Sequence, residues 1–555
     1  MKFLTRKYVI IAVILVSSLI GMAQLSNYHD IQLRDNQLYF RKVFLNIAER
    51  YAEEVNLSEL INISIKTLVD HLDPYSEYIE KDAKSTLQLI TEGTYGGLGM
   101  EIGMRDEKVT VISPIDDTPA QRAGIRAGDV IKEVDGENIK GLSLNEVSSR
   151  LRGKVGTKVS LTISRPGLNE PLTFNLTRAK IVLKDVAYSG MVKPGIGYVK
   201  LTGFTEKAPD ELTAAIQELM KQDSLEAFIL DLRNNPGGLL SSAVAISNIF
   251  IPEGNVIVKT KGKNEPERVY KALQKPLLPN VPLVILVDKG SASASEIVTG
   301  AVQDLDRGII VGDTTYGKGL VQKIIPIDDL GEKQLKLTTA KYYTPSGRCI
   351  QREDYKLKYK NVYQIENSDS ILQHSWFKTS GGRKVWSNGG IIPDIVVERE
   401  SLHPYIYQLW GKGVYFTFVI EYLTSHPEFR NDITRINEDN LFNEFLNYLE
   451  KSNNFYISEE QLELERLLSQ LEERTDIGNQ PVAKVKSLID MVKEKDKKIA
   501  LTLKNDLIWA LKIELSNNVN NKTLRYHLTQ QKDLQFQKAL ELLEEKSKYE
   551  VVLGN

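Results

Sequence analysis

The run Gly290-Ser291-Ala292-Ser293-Ala294-Ser295-Glu296, followed by Tyr316-Gly317-Lys318-Gly319, supplies a hydroxyl that could attack a carbonyl and an amine that could take its proton. A free lysine titrates near 10.4, so only about 0.04% of it is neutral at pH 7. To act as a base it must be desolvated, which lowers its pKa by up to ~3–5 when burial is complete. Gly317, Gly319, Leu320 and Val321 are small or apolar neighbours compatible with that burial. Once protonated, the same amine can donate to a leaving amine. Ser293 is central and flanked by alanines that permit tight access, while Ser295 has the place of a helix N-cap, a role worth about 1 kcal/mol. The pattern alone leaves Ser291, Ser293 and Ser295 open as the nucleophile. The N–H of Ala294, at the expected helix start, is a candidate donor to an oxyanion. Glu296 is explained at this stage by the helix dipole alone.

The elements that must carry these residues alternate between about 181 and 400. Gly197–Leu201, Ala227–Leu232, Pro282–Val287 and Ile309–Val311 read as strands, the second by its continuous apolar run. Pro209–Lys221, Leu239–Phe250 and Ser295–Asp304 read as helices between them. This rhythm predicts a sheet with parallel pairs covered by helices. Sites in such sheets form beyond the carboxyl ends of the strands. Both the turn Asn235-Pro236-Gly237-Gly238 and Ser293 fall there. Asp231 and Arg233 read as an ion pair supporting that turn.

The rest of the chain is organised differently. With 555 residues it exceeds one core, and three or four domains are expected. Lys2, Arg6 and Lys7 precede an apolar run to about Leu25, so residues 1–25 are expected to be a signal peptide or an N-terminal anchor. The remainder is then exported to the periplasmic side of the cell envelope, with membrane contact only through that segment. Residues 26–84 form an N-terminal helical region, in which Ile31 to Asp70 reads as one helical stretch ending at Leu72-Asp73-Pro74. From 85 to 180 come Tyr95-Gly96-Gly97-Leu98-Gly99-Met100, then Pro119-Ala120-Gln121-Arg122-Ala123-Gly124-Ile125, then Gly128-Asp129-Val130-Ile131, with Asp135-Gly136 as a hairpin turn. Residues 401–555 are helical and charged, with Ser458 and Gln461 as a capping box and Leu534, Ala539, Leu542 and Leu543 in the final helix.

Composition narrows the chemistry. The single cysteine, Cys349, excludes an intrachain disulfide and cysteine zinc sites, and sits in Arg348-Cys349-Ile350, read as a strand. A net charge of −2 gives no reason to expect nucleic acid. No HExxH motif or carboxylate cluster with metal spacing occurs, so neither metal nor cofactor is expected. His71 beside Asp73 suggests a dyad, although a turn accounts for the pair. The other five histidines lack supporting context.

The order Tyr95–Ile102, Pro119–Ile125, Gly128–Gly136 resembles a PDZ domain of the bacterial protease type. Such domains add a peptide as an extra strand and hold its terminal carboxylate on loop amides, which the resemblance assigns to Gly96, Gly97, Leu98 and Gly99. Together with Gly290–Glu296, Tyr316–Gly319, Asn235–Gly238 and Leu337–Arg348, this segment resembles the carboxy-terminal processing peptidases, or tail-specific proteases, over roughly residues 70 to 400. The resemblance implies a crotonase/ClpP-like βαβ core at 181–400 with a PDZ domain at 85–180; with the N-terminal helices and an α-helical C-terminal domain, which lies outside the minimal family pattern, the expected whole is a multidomain α/β protein. It implies Ser293 as nucleophile, Lys318 as general base, Gln322 as the residue orienting the lysine, and Gly238 beside Ala294 in the oxyanion hole. The function expected is a serine endopeptidase that captures protein tails through its PDZ domain and cuts nearby. Residues 401–555 would then serve self-association or an adaptor. Two rivals remain at this point, a catalytically silent PDZ scaffold and a crotonase-like acyl-CoA enzyme.

Overall fold

The computed structural model describes residues 31–80, 91–329, 333–353, 356, 375–387, 389–399, 401–474 and 478–554. The expected export segment therefore lies outside the described residues. Among those described, no helix is long and apolar enough to cross a membrane. The chain divides into two compact units, Met1–Tyr78 and Ile79–Asn555.

In the first unit the single helical stretch expected between Ile31 and Asp70 is two helices, 31–50 and Leu57–Asp70. The break has a local cause. Asn56 caps the second helix by accepting the Glu59 amide at 3.2 Å, which requires extended backbone just before it.

The second unit begins with an antiparallel sheet in the order Met100–Arg105, Lys108–Pro114, Val130–Val134, Lys158–Ser164, Leu172–Thr177. Val159, Leu161 and Ile163 alternate inward onto Val111, Ile131 and Val147. The Asp135-Gly136 turn has positive φ at both residues, as a tight hairpin needs. Met100–Arg105 lies at the sheet edge, with the helix Leu144–Leu151 packed against it.

The sheet that carries the chemistry runs Val186–Lys193, Ile196–Leu201, Ala227–Asp231, Leu283–Val287, Ile309–Gly312, Ile395–Val396. All neighbours after the first pair are parallel. Helices Ala208–Gln222, Leu240–Ser247 and Ala294–Asp304 cover one face, meeting Phe228, Leu230, Ile285 and Val287. The alternate residues Ile229, Val284 and Leu286 face the other way and are buried by Phe536, Ala539, Leu540, Tyr549 and Leu553. The segment Leu534–Glu544 is thus not the final helix, because Lys546–Leu553 follows it and both complete the third layer of this sheet. Upstream, Tyr405, Tyr415, Phe418, Phe445, Leu507 and Leu511 form a separate helical core. At Ser458 the expected reciprocal capping box is half made. Its hydroxyl accepts the Gln461 amide, while its own amide goes to Asp496 at 3.0 Å.

Candidate functional site

Three neighbouring parallel strands end at one edge of the sheet. The segment after Ala227–Asp231 is the Arg233–Leu239 turn, that after Leu283–Val287 is the serine turn, and that after Ile309–Gly312 leads to Lys318.

The serine turn separates its three hydroxyls. Ser291 is fully buried, donates to the Leu232 carbonyl at 2.8 Å and accepts the Asp288 amide at 2.9 Å. Ser295 is also fully buried and donates to the Asn235 carbonyl at 3.0 Å. Ser295 is therefore not the N-cap, because the helix starts at Ala294 and the capping position belongs to Ser293. Ser293 is half-buried, so it is the one serine of the three that reaches the surface. Its backbone lies at φ 54°, ψ −111°, a conformation that L side chains rarely adopt.

Glu296 does far more than answer a helix dipole. Fully buried, it accepts the Ser293 amide (2.9 Å) and the Lys318 amide (2.8 Å) on one oxygen. Its other oxygen accepts the Gly317 amide (2.7 Å) and the Thr315 hydroxyl (2.6 Å). Burial pushes its carboxyl up, and these four donors pull against that shift. Tyr342 adds a second tie, its hydroxyl meeting the Ser293 carbonyl at 3.2 Å and the Lys318 carbonyl. Ser293 and half-buried Lys318 are thus brought together by one carboxylate and one phenol. The Ser-x-x-Glu spacing was the available sequence signal for Glu296. Tyr342 lies in the Leu337–Arg348 run that carries the family resemblance, without a role of its own there.

The glycine turn packs on the same spot. A Cβ at Gly237 (φ +95°) would sit 2.7 Å from the Ala294 nitrogen and 2.9 Å from Ser293 Cβ, so only glycine lets the turns approach this closely. Asn235 fixes the register: its carbonyl takes the Ala292 amide at 3.0 Å as well as the Ser295 hydroxyl. Phe204 takes the Leu239 amide at 2.8 Å beside Gly238, which is exposed.

Gln322 is in the strand Leu320–Pro326, where its amide donates to Thr338 Oγ1 at 3.3 Å. Gly96, Gly97, Leu98 and Gly99 precede the edge strand of the other sheet. Leu98 sends its side chain into that domain's core, and its carbonyl takes the Ala120 amide at 2.9 Å. The Gly99 carbonyl accepts Thr118 Oγ1 at 2.8 Å. Asp73 accepts the amides of Tyr75 and Ser76, both at 2.8 Å, so the His71–Asp73 pair marks a turn. Cys349 is not in a strand, since Arg348 beside it turns into the interior to pair with Asp304 at 2.7 Å, and burial pushes the Cys349 thiol up.

Residues 195–360 match peptidase family S41, residues 110–165 a PDZ domain, and residues 405–543 the C-terminal helical domain of a probable PDZ-protease. The carboxy-terminal-processing protease of Bartonella bacilliformis is 41% identical over 349 residues, 62% of this chain and 79% of that one. The carboxy-terminal processing protease CtpA of Bacillus subtilis is 35% identical, over 58% of this chain and 67% of its own. Among solved structures, a photosystem II D1 C-terminal processing protease aligns at 30% identity, with 57% of this chain and 90% of the other covered at a TM-score of 0.34.

Proposed function

This chain belongs to the carboxy-terminal-processing proteases of peptidase family S41, a serine-type peptidase, and from that premise we propose that it cleaves near the C-termini of exported proteins through a Ser293–Lys318 acyl-enzyme. The observation that carries this reading is the shared Glu296 carboxylate, which holds the backbones of the surface-reaching serine and the lysine against one oxygen.

In this mechanism Lys318 takes the Ser293 proton as Oγ attacks the scissile carbonyl. The resulting oxyanion lies between the amides of Ala294 and Gly238. Ala294 suits this role as the first residue of its helix, where amides lack intrahelical acceptors and the dipole favours negative charge. Gly238 suits it because the neighbouring Leu239 amide is the one bound to Phe204. Lys318 then protonates the leaving amine, and water hydrolyses the Ser293 ester by the reverse proton path. Gln322, close after Lys318 in sequence, orients the amine. The PDZ domain selects the substrate by adding its tail to the edge strand Met100–Arg105, with the terminal carboxylate on the amides of Gly96, Gly97, Leu98 and Gly99. The inward-turned carbonyls of Leu98 and Gly99 support that assignment. Residues 1–25 direct the chain out of the cytoplasm.

Ser293→Ala and Lys318→Ala, assayed on the full chain with a fluorophosphonate probe and a tail-bearing peptide, are expected to abolish labelling and cleavage respectively while leaving the circular dichroism unchanged. Full activity in either variant refutes the assignment.

A further inference from the structure

We propose that Asp533 and Gln535, from the C-terminal helical segment, are positioning residues for the oxyanion turn: they hold Arg233, and through it the run from Asn234 to Gly238. The inference rests on the Ser293 reading above.

The argument starts from charge. Asp231 ends its strand 1% exposed and receives the Tyr198 hydroxyl (2.8 Å), Lys200 Nζ (2.9 Å) and Arg233 Nη2 (2.6 Å). Two cations therefore meet one buried carboxylate. Asp533 supplies the second anion, taking Arg233 Nη1 at 2.9 Å on one oxygen and Nη2 at 2.7 Å on the other. Such a two-point grip fixes the plane of the guanidinium as well as its place. Gln535 Oε1 accepts Nη1 at 3.1 Å, and its own amide is anchored on the Val397 carbonyl at 2.9 Å.

The main chain of Arg233 is held with its side chain. Its amide donates to Asp231 at 2.9 Å, and its carbonyl accepts Lys200 Nζ at 2.6 Å. The next residue, Asn234, is left-handed (φ 55°), and the chain then passes through Asn235 to the glycine that touches Ser293. Little slack separates the guanidinium from the turn. Asp533 is itself rigid, since it caps the helix Leu534–Glu544 by accepting the Phe536 amide at 3.1 Å, and that helix is packed on the sheet. Asp533 and Gln535 both lie outside residues 195–360, the stretch that matches the peptidase family. The helical segment thus supplies part of the scaffold of the site.

The test is Asp533→Asn in the full chain. Asparagine can still cap Phe536 but loses the charge facing Arg233. Labelling by a fluorophosphonate, whose phosphoryl oxygen occupies the oxyanion position, is followed as kinact and KI. The expected result is a kinact lowered about tenfold with KI within about twofold, short of the 10²–10³ seen on deleting an oxyanion donor. Leu540→Val, which loosens the same helix without touching Arg233, is expected to keep kinact within about twofold. Asp533→Ser, which keeps a capping oxygen, gives the same answer if the asparagine variant does not fold. Wild-type kinact in Asp533→Asn, an equal loss in Leu540→Val, or failure of both Asp533 variants to fold each overturns the proposal. A wild-type chain left unlabelled overturns the Ser293 reading instead, and this inference with it.

Discussion

Replacing Glu296 by glutamine should cost both stability and rate, and the structure sets the size of each. In the better orientation the new carbonyl keeps the amides of Ser293 and Lys318, and the new NH2 donates to the Thr315 hydroxyl. The Gly317 amide is then left facing a donor. An orphaned buried amide costs about 1–3 kcal/mol, and each bond that changes from charged to neutral acceptor loses about 1 kcal/mol. Against this, the buried charge is gone, which returns part of its desolvation cost. The net expectation is a loss of about 2–4 kcal/mol in urea unfolding. Labelling of Ser293 should slow about tenfold, because the lysine backbone is no longer fixed at Gly317. The pH dependence has a definite sign. A raised folded-state pKa means that this group's share of stability is complete below its unfolded value near 4.3 and is lost as pH rises through the folded value. The four donors require the ionised form, so activity rises across that same window, at higher pH than an ordinary glutamate would give. Glu296→Gln should remove the Glu296 share of this acid limb and leave the loss of rate that comes with protonating the general base Lys318. A folded variant with wild-type labelling rate and the same acid limb would refute the clamp.

Gly237→Ala should abolish labelling, since its Cβ would lie 2.6 Å from the Ala292 carbonyl oxygen and at a φ of +95°; a labelled, folded variant counts against the tight approach of the two turns. For Asp231, burial pushes the carboxyl up, but Arg233 and Lys200 outweigh it and hold it well below the usual range. Its stability share is present above the unfolded pKa near 3.9 and is lost as pH falls toward the folded value. The gap in urea midpoint between wild type and Asp231→Asn should therefore be constant above about pH 5 and narrow below about pH 4, and a gap that persists unchanged to pH 3 contradicts the pairing. Phe536→Ala should cost about 3–5 kcal/mol, because the ring is 3% exposed and meets Tyr198 edge-on at 5.6 Å; a change under about 1 kcal/mol in urea unfolding would mean that the C-terminal helices are not a layer of the sheet.

What could be read in advance follows from how local each signal is. Ala227–Asp231 and Leu283–Val287 declare themselves by continuous apolar runs, because both of their faces are buried. The same burial implies two covering layers, but the crossover helices supply only one. The second comes from residues 534–553, and no local pattern links Phe536 to Ile229. Ser291 and Ser295 looked as available as Ser293 because a hydroxyl's partner is set by the opposing turn, here the carbonyls of Leu232 and Asn235. Glu296 was legible as a residue type at a helix start but not as a four-donor acceptor, since three of its donors come from residues 315–318. The PDZ resemblance was strong because its glycines and hairpin lie within one contiguous stretch. Cys349 was misplaced because the buried Arg348–Asp304 pair, formed with a distant helix, overrides the strand propensity of its neighbours.

The backbone of Ser293 ties these observations together. A non-glycine residue at φ 54°, ψ −111° carries strain of about 1–3 kcal/mol and persists only where its surroundings over-determine it. Here the surroundings do so. The Ser293 amide is held by Glu296, its carbonyl by Tyr342, and the residues on either side are packed under Gly237. Glycine would relieve the strain but carries no hydroxyl. The turn therefore has to be made rigid by its neighbours, and those neighbours are the groups that also set the lysine and the glycine turn. Immobilising the serine and assembling the site are one set of hydrogen bonds, so substitutions at Glu296 should couple stability and rate, whereas an Asp533→Asn change acts from outside that set.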